Sequence, residues 1–452
     1  MSVHVGQCGC AVGLDMWKEL AHEIMVGKTR TGCSVDRDPQ TGSNTPSTFF
    51  NGSLEGSLKP RAVFVDSDPI QRDTINITTR GSRFEISSDH IVTSERDSRS
   101  VYHAGRKDDE VSGVSQIAFD KIMDQVELCD NLGGFVFQRS IGGGTGSAIG
   151  DILLSRLRDE FPKRVVLETL IYPSRESSTS ALEPLNTCLS LAASRESASL
   201  SLVLDNQAAY NIARTKLNLN EPSFVHMNQF IARVVSSCTA SLRFPSTVNS
   251  SLDEIVTNLV PDPVLRYGIV SMAPLAFGNP SNISAKELVS LLFHPQSFLC
   301  EVPNIRTYPQ LAACVQCRGQ LPLIAIQRSI QSFRTNPVAR NSVAKFAPWI
   351  PNSFKVGLVS PTENCDQSSS ATLLANSAAV AVPFSEQLTK FKTLFSRKTY
   401  FWHYMENGAE IDEFQSAQNS VSEIIQAYDS VTSSCQIENQ QNQLERIRNL
   451  PS

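Results

Sequence analysis

Three features that the sequence lacks narrow the classes of protein to which it can belong. It contains no apolar stretch near the length that a bilayer requires, and its start, MSVHVGQCGC, has no basic region followed by an apolar one. Its formal net charge is only -5, with the Lys and Arg residues scattered rather than gathered into a stripe. We therefore expect an intracellular protein with neither a membrane nor a nucleic acid among its partners.

A disulfide framework is also lacking. The 11 cysteines are spread without a regular spacing, which in an intracellular chain predicts free thiols. Cys314 and Cys317 form one CxxC inside an apolar stretch, but a structural zinc site needs two more ligands at similar spacing. We interpret them as buried core thiols.

A glycine-rich loop at 140–147, SIGGGTGS, follows the apolar run GGFVFQ. Glycine lets the backbone approach a ligand closely, and the amides and dipole at a helix start favour an anion. The loop alone fits a tight turn as well as a phosphate site. The helix after it is predicted from an i, i+3, i+4, i+8 spacing of Ile149, Ile152, Leu153 and Leu157.

The first half of the chain alternates strand-like runs with helical patterns. This alternation predicts a doubly wound α/β sheet with ligands at the carboxyl ends of its strands. Polar turns at 66–69, 140–147 and 205–206 follow such strands, so we expect them to converge on one crevice. Residues 29–60, rich in Ser, Thr, Gly and Pro, are predicted to form a long surface loop. The strands are predicted at 2–5, 61–66, 133–138, 164–172 and 200–205.

The second half begins with a long amphipathic helix predicted from Pro222, which would link two parts of the molecule. A second α/β region follows, with strands predicted near 266–273, 310–318 and 354–359 and a loop at 361–370. From 384 the pattern is mostly helical, and the last two dozen residues are predicted to be loosely ordered. The linking helix presents one broad apolar face, made of Phe224, Met227, Phe230, Ile231, Val234, Val235, Cys238 and Leu242.

Several motifs, in their order and spacing, give the chain a resemblance to the tubulins over some four hundred residues. They are VGQCG (5–9), VDSDP (65–69), GGGTGS (142–147), TSALEPLN (179–186), VLDNQAAY (203–210), SSCTASLRF (236–244), VTNLVPDP (256–263), WIPNS (349–353) and WHYMENGAEIDEF (402–414). The resemblance implies the tubulin fold. Its parts would be a GTP-binding domain (1–221), a core helix (222–243), an intermediate α/β domain (244–383), a C-terminal helical region (384–430) and a flexible tail (431–452).

The resemblance also implies a nucleotide site for GTP or GDP. Asn206 and Asn228 would read the guanine edge, a role that suits an amide able to donate and accept hydrogen bonds. Phe224 would stack on the base, Thr179 and Glu183 would contact the ribose, and Gln7 would lie near the phosphates. The backbone amides that cradle the phosphates would come from Ser140, Gly142, Gly143, Gly144, Thr145, Gly146 and Ser147.

Asp66 and Asp68 match the acidic loop that holds Mg2+ in this family, and carboxylates are ligands that Mg2+ prefers. Position 68 is usually Glu in α-like members, so the shorter side chain would reach the metal through water. Structural alternatives exist for this segment and for Asn206. The segment 66–69 could cap a helix, and Asn206 could be a turn residue.

Glu254 lies in NSSLDEIVTNLVP, on the face of a predicted helix opposite to its apolar residues. In the tubulins, one subunit inserts this segment into the nucleotide pocket of its longitudinal neighbour. An acidic residue at this position is the α-type arrangement, in which the carboxylate orients or activates the water that attacks the γ-phosphate. The resemblance thus implies a possible GTPase whose active site is completed in trans. The alternative is a solvated helix face.

Several departures from the family pattern predict a divergent isotype, with the δ or ζ tubulins of basal bodies and centrioles as the best match and an α-like middle. Ala148 replaces a usual glycine beside the phosphate loop. The third loop, RDSRSVYHAGRKDDE at 96–110, lacks the expected Asn pair, and the lateral-contact segment at 276–288 looks short. The tail after Asp429 lacks a glutamate run.

Three functions follow. The first is a GTP-binding cytoskeletal protein that assembles with other tubulin subunits and with other proteins of basal bodies or centrioles. The second is a conventional α-like subunit of microtubules. The third, a dinucleotide-binding enzyme, lacks a GxGxxG fingerprint and leaves 222–263 unexplained.

Overall fold

One ten-stranded sheet organises the molecule, in the order β11-β10-β12-β9-β8-β7-β6-β1-β4-β5. The computed structural model describes residues 1–29, 48–51, 58–82, 84–95, 100–174, 178, 180–216, 219, 221–244, 246–249, 251–275, 283–319, 321–335, 346–347, 349, 354–359 and 369–448. The strands are β1 Ser2–Val5, β2 Phe50–Asn51, β3 Lys59–Pro60, β4 Ala62–Asp66, β5 Ile91–Thr93, β6 Phe135–Ser140, β7 Val166–Tyr172, β8 Leu200–Asp205, β9 Tyr267–Ala273, β10 Gln310–Arg318, β11 Phe354–Val359 and β12 Ser370–Ser377.

Helices cover both faces of this sheet. They are α1 Gly6–Thr29, α2 Ile70–Thr79, α3 Tyr102–Ser112, α4 Val114–Glu127, α5 Thr145–Glu160, α6 Glu183–Ala193, α7 Asn206–Thr215, α8 Phe224–Cys238, α9 Leu252–Leu259, α10 Ala285–Leu292, α11 Leu323–Thr335, α12 Ala381–Ser396, α13 Phe401–Met405 and α14 Ile411–Arg448. Short 3-10 turns lie at Ser88–His90, Ala240–Leu242, Pro295–Ser297, Ile305–Thr307 and Ala378–Val380. No helix among these described residues is long and apolar enough to cross a membrane.

In the stretch of the sheet ordered β5-β4-β1-β6-β7-β8-β9, every pair of neighbouring strands is parallel. β12 is antiparallel to both β9 and β10, and β10 and β11 are again parallel. β1 lies between β4 and β6, so the chain first winds to one side of β1 and later to the other. The gap beside β1 is therefore a topological switch point, where doubly wound sheets bind ligands.

The predicted α/β fold is confirmed, including the core helix and the second α/β region. Because both faces of the sheet are covered, strands such as β7 and β8 are buried along their whole length and show as apolar runs in the sequence. The core helix α8 packs along α1, but it begins at Phe224 rather than at Pro222. Phe224 itself is 59% exposed and does not belong to the buried face.

Several predictions about local structure differ from the structure. Of the predicted surface loop 29–60, residues 30–47 and 52–57 lie outside the described residues, but Phe49 and Phe50 are buried and pack against Trp17. The strands β5 and β12 were not expected, and Ser370, the last residue of the predicted loop 361–370, begins β12.

The segment 431–452 was predicted to be a flexible tail, but it is helical as far as Arg448. Val431 and Cys435 are buried and extend the apolar stripe of α14, which explains why the helix continues past residue 430. The stripe before them consists of Phe414, Ala417, Val421, Ile424 and Tyr428. The boundaries of the domains stay a prediction.

The described cysteines are free thiols. Cys314 and Cys317 are buried in the sheet, and burial raises the pKa of Cys314 to about 11. The amide of Asn249 donates a hydrogen bond of 2.8 Å to the Cys314 sulfur. Both cysteines are therefore core thiols, as interpreted from the sequence.

Candidate functional site

The polar turns expected to converge do meet at one edge of the sheet. Val5, the last residue of β1, pairs with Val65 of β4 and with Arg139 of β6. Further along, Ser140 pairs with Ile171 and Tyr172 pairs with Asp205. Since these strands are parallel and end at matching positions, the loops that follow them line a common crevice.

The turn after β1 presses against the glycine-rich loop. Gly6 adopts a φ of 76°, and a Cβ atom placed on it would lie 3.0 Å from the amide nitrogen of Gly146. A side chain at this point would therefore separate the two loops. Gln7 follows directly and is exposed. Gln7 therefore lies one residue from the contact with the glycine-rich loop, and its role at the phosphates stays a prediction.

Side chains beneath the glycine-rich loop hold its carbonyl groups. Asn186 Nδ2 donates a hydrogen bond of 2.9 Å to the carbonyl oxygen of Gly142. The Ser147 hydroxyl donates to the carbonyl oxygens of Gly143 and, at 3.0 Å, Gly144. Within a planar trans peptide the amide N–H points opposite to the carbonyl. The amides that follow these carbonyls are therefore directed away from Asn186 and Ser147.

This geometry suits a phosphate group. The first amides of a helix have no partner within the helix, and the dipole of the 16-residue α5 favours negative charge at its start. A Cβ atom placed on Gly143 would meet no other atom within 4 Å, so the loop faces open space there. One placed on Gly146 would lie within 3.0 Å of the Ser140 carbonyl oxygen. The glycines thus keep the loop both tight and accessible.

Asp66 and Asp68 flank a turn that contacts the glycine-rich loop. The Ser67 hydroxyl lies 2.5 Å from the Thr145 hydroxyl, at the first residue of α5. Asp66 is buried and accepts a hydrogen bond of 2.8 Å from the Ser67 amide. Asp68 is only partly buried and accepts a hydrogen bond of 2.9 Å from the amide of Ile70. The capping alternative therefore holds for Asp68, and its carboxylate is still partly accessible.

The donor set at this turn fits Mg2+ in the way that nucleotide sites use it. Mg2+ at such sites is commonly held by one or two carboxylates together with phosphate oxygens and water. Asp66 and Asp68 provide two carboxylates beside the start of α5. Among the described residues no cluster of three or more His, Cys, Asp or Glu side chains could hold a metal. Any Mg2+ at this turn would need ligands from the nucleotide as well.

Glu183 lies at the other end of the glycine-rich loop. It begins α6, is 7% exposed and accepts a hydrogen bond of 2.6 Å from the Ser178 hydroxyl. A Cβ atom placed on Gly142 would lie 3.2 Å from Glu183 Cγ, so the two residues are adjacent. Thr179, its predicted partner at the ribose, falls outside the described residues.

The three residues predicted for the base lie on two packed helices. Asn206 is the first residue of α7, where the Asp205 carboxylate accepts a hydrogen bond of 2.8 Å from the Gln207 amide. Burial raises the pKa of Asp205 to about 7. Phe224 and Asn228 are four residues apart on α8, so they share a face. Within the described part of the chain, the side chains of Asn206 and Asn228 make no hydrogen bond, which leaves both amides able to read a base.

Glu254 is on the opposite edge of the sheet. A Cβ atom placed on Gly134, just before β6, would lie 3.0 Å from Leu252 Cδ1 of α9. The glycine-rich loop leaves the other end of β6, six residues and about 20 Å away at 3.3 Å per residue. Glu254, in the first turn of α9, is exposed on this side of the molecule. The structure therefore does not bring Glu254 to the glycine-rich loop of its own chain.

The methyl group of Ala148 does not point into the open side of the loop. Ala148 is fully buried, and a Cβ atom placed on Gly105 of α3 would lie only 2.9 Å from its Cβ atom. Glycine at 105 thus makes room for the methyl group that replaces a usual glycine. Of the expected third loop, 96–110, the part from Tyr102 is helical and residues 96–99 lie outside the described residues. Residues 276–282 of the predicted lateral-contact segment lie outside them as well.

Three residues that shape the loop were missed by sequence reasoning. Asn186 and Arg139 are fully buried, and Ser67 is 1% exposed. For Arg139 a signal was available, because a charged residue inside an apolar strand such as FVFQRS is rare unless the charge has a partner. For Asn186 and Ser67 the pattern gave no sign that they contact the loop, because their contacts join distant elements.

Together, the switch point and the glycine-rich helix start define a nucleotide-binding protein of the doubly wound α/β class. Residues 1–214 match the Tubulin/FtsZ family, GTPase domain, and residues 263–389 match the Tubulin C-terminal domain. The "Tubulin alpha chain" of Dictyostelium discoideum is 31% identical over 98% of both chains.

Two further relatives agree. The "Tubulin alpha-1 chain" of Saccharomyces cerevisiae is 32% identical, over 95% of this chain and 96% of that one. The "Tubulin beta-1 chain" of Chondrus crispus is 31% identical, over 95% of this chain and 92% of that one. The chain belongs to the tubulin family and is a GTP-binding member of it. The resemblance is thus confirmed for the family, and the dinucleotide-binding enzyme is set aside.

Proposed function

We propose that this chain is a cytoskeletal GTP-binding subunit that assembles head to tail with tubulin partners. Glu254 of one subunit would promote GTP hydrolysis in the pocket of the next. The observation that carries the proposal is the placement of the exposed Glu254 and the glycine-rich loop on opposite edges of the sheet. Two surfaces that face in opposite directions can meet only between different subunits.

Each part of the proposed site has a defined task. The amides of the glycine-rich loop would bind the phosphates, with Gln7 beside them and Asp66 and Asp68 holding Mg2+ between protein and nucleotide. Mg2+ supplies charge neutralisation at the phosphates when it is bound. Glu254 would orient the attacking water and accept its proton. The remaining contacts, to ribose and base, would come from Thr179, Glu183, Asn206, Phe224 and Asn228.

A complementation experiment tests hydrolysis in trans. Glu254→Gln should bind GTP normally but hydrolyse it slowly, and Asn206→Ala should bind GTP markedly more weakly. In a mixture of the two variants, an Asn206→Ala subunit would offer its Glu254 to a GTP-loaded Glu254→Gln neighbour, so that activity returns. Asp253→Asn, which changes the neighbouring exposed carboxylate, is the matched control and should hydrolyse GTP like the wild type.

The same measurement is repeated with a purified β-type tubulin added, because the neighbour could be a different chain. Wild-type hydrolysis per molecule should rise with protein concentration in at least one of the two arrangements. The proposal fails if Glu254→Gln matches the wild type in both. A separate titration with GTP, ATP and Mg2+ checks the pocket, and equal affinity for GTP and ATP would contradict the guanine assignments.

For location in the cell, we propose basal bodies or centrioles. Only about a third of the residues are shared with the α and β chains that match over the whole length, which supports a divergent isotype. The alternative, a conventional α-like subunit, is supported by the α chains among the relatives. A tagged copy expressed in its own cell separates them, since puncta at basal bodies favour the first and decoration of whole microtubules favours the second.

A further inference from the structure

A fully buried arginine lies directly beneath the start of α5. Arg139, the penultimate residue of β6, has no exposed surface. Its Nη1 atom donates hydrogen bonds to the carbonyl oxygens of Gly146, at 3.3 Å, and Ser147, at 3.2 Å. These residues belong to the first turn of the helix whose start faces the crevice. The guanidinium thus binds two carbonyl groups that the side chains of Asn186 and Ser147 do not contact.

The same guanidinium is fixed by groups on three other elements. Nη1 also lies 2.6 Å from Asp151 Oδ1 of α5 and 3.1 Å from the Ser190 hydroxyl of α6. Nε donates a hydrogen bond of 2.7 Å to Glu168 Oε1 of β7. The second oxygen of Glu168 accepts a hydrogen bond of 2.5 Å from Ser201 of β8. Arg139 therefore has one side turned to the loop and another turned to the neighbouring strands.

The backbone around Arg139 is built to admit it. A Cβ atom placed on Gly150 of α5 would lie 2.7 Å from Arg139 Cδ, closer than such atoms come in proteins. A buried ion pair is weak support for stability, because well-packed apolar residues often do as well in its place. What a guanidinium adds is a planar set of donors in a rigid arrangement. Here Nη1 fixes the carbonyl group of Gly146, and with it the Ser147 amide on the opposite side of that peptide. It also fixes the Ser147 carbonyl, whose following amide, that of Ala148, donates to the Gly144 carbonyl oxygen and keeps the first turn closed.

We propose that Arg139 is a positioning residue for triphosphate binding, which it supports by holding the first turn of α5 so that its amides face the phosphates. The inference rests on the proposed role of the glycine-rich loop. It predicts that loss of the guanidinium weakens the binding of phosphates and leaves the contacts to base and ribose unchanged. A purely structural arginine would instead affect folding stability alone.

The experiment compares Arg139→Lys with Glu168→Gln. Lysine keeps the positive charge but lacks the planar set of donors, whereas Glu168→Gln alters the hydrogen bond to Nε on the side away from the loop. Affinities for GTP, GDP and guanosine are measured by calorimetry, and stability by urea unfolding without nucleotide. For Arg139→Lys we expect GTP and GDP to bind about tenfold more weakly, the equivalent of about 1.4 kcal/mol, with guanosine unchanged. For Glu168→Gln we expect lower stability and unchanged nucleotide affinities.

A second variant covers the case in which Arg139→Lys fails to fold. The triple change Arg139→Met, Asp151→Asn and Glu168→Gln removes all the buried charges together, so no uncompensated charge remains. It should bind GTP about tenfold more weakly, as the single variant does. Wild-type affinity for GTP in either folded variant, or an equal loss for guanosine, would overturn the proposal. If the wild-type protein binds guanosine but gains nothing from the phosphates, the role of the loop falls first and this inference falls with it.

Discussion

Replacing Gly146 by alanine should destabilise the protein even before any nucleotide binds. The added Cβ atom would lie within 3.0 Å of the Ser140 carbonyl oxygen and 3.4 Å from both the carbonyl carbon and the amide nitrogen of Ser140. These are all backbone atoms, which cannot turn aside as a flexible side chain can. Overpacking of this kind costs about 1–3 kcal/mol, and the better helix propensity of alanine offsets at most about 1 kcal/mol. Because the obstacle is rigid backbone, the cost should lie in the upper part of that range, at about 2–3 kcal/mol, which leaves a net loss of about 1–2 kcal/mol.

Gly143→Ala is the matched control in the same loop. Its Cβ atom would enter open space, so the stability of the nucleotide-free protein should stay within about 0.5 kcal/mol of the wild type. That space is also where a phosphate would approach the start of α5. We therefore expect the variant to bind GTP more weakly while its fold is unchanged.

The assay is urea unfolding followed by circular dichroism, together with calorimetric titration of GTP into each folded variant. Gly146→Ala should shift the urea midpoint to lower concentration with an unchanged slope, which separates a loss of stability from a change in compactness. The reasoning is refuted if Gly146→Ala unfolds at the wild-type midpoint. It is refuted equally if Gly143→Ala loses as much stability as Gly146→Ala.

Three further predictions concern buried polar groups. Glu23→Gln should lower stability by about 3 kcal/mol, since it leaves the buried guanidinium of Arg243 without its carboxylate, and urea unfolding measures this. Burial lowers the pKa of His4 from 6.5 to about 3, so stability should fall as the pH drops from 6.5 towards 3, where the unfolded chain binds a proton that the folded chain does not. His4→Gln should show a smaller loss between pH 7 and 5 in urea titrations. Tyr428→Phe should cost about 1–3 kcal/mol in urea unfolding, because the hydroxyl bonds both the amide and the carbonyl of Tyr267.

Each of these predictions has a contradicting outcome. A Glu23→Gln protein as stable as the wild type would mean that the buried guanidinium of Arg243 does not need a carboxylate partner. Identical pH profiles for the wild type and His4→Gln would show that proton uptake by His4 does not contribute to the pH dependence of stability. Unchanged stability of Tyr428→Phe would show that α14 contributes little through this contact.

The sequence allowed the parallel half of the sheet to be predicted because its strands are buried on both faces. Such strands show as continuous apolar runs, and the polar turns between them mark the edge where a ligand binds. The same reasoning failed for β12, whose segment SATLLANS mixes polar and apolar residues. Asn376 in that strand is fully buried because its amide donates to the carbonyls of Leu259 and Leu265. Partners so far away in sequence leave no local pattern.

The candidate site shows the same division between local and distant signals. The glycine-rich loop could be proposed as a phosphate site from its own neighbourhood, because glycines before a helix suit an anion as well as a tight turn. The proposed metal role of Asp66 came from the family resemblance. The support beneath the loop could not be predicted locally, since Arg139 and Asn186 reach it from a different strand and a different helix. Phe224 fits the apolar spacing of α8, but only the fold shows that its end of the helix leaves the core.

The placement of Glu254 and the glycine-rich loop on opposite edges also limits the shape of any assembly. A surface that fits a different surface of the same molecule repeats in one direction and does not close as a two-fold dimer does. A row of subunits joined in this way ends in two unlike faces, one with a loop that no glutamate reaches and one with a glutamate that reaches no loop. The subunit at the first face would hydrolyse its GTP last, because no glutamate of a neighbour reaches its loop. The two ends of the row would therefore differ in bound nucleotide, with GTP at the end where that subunit was added.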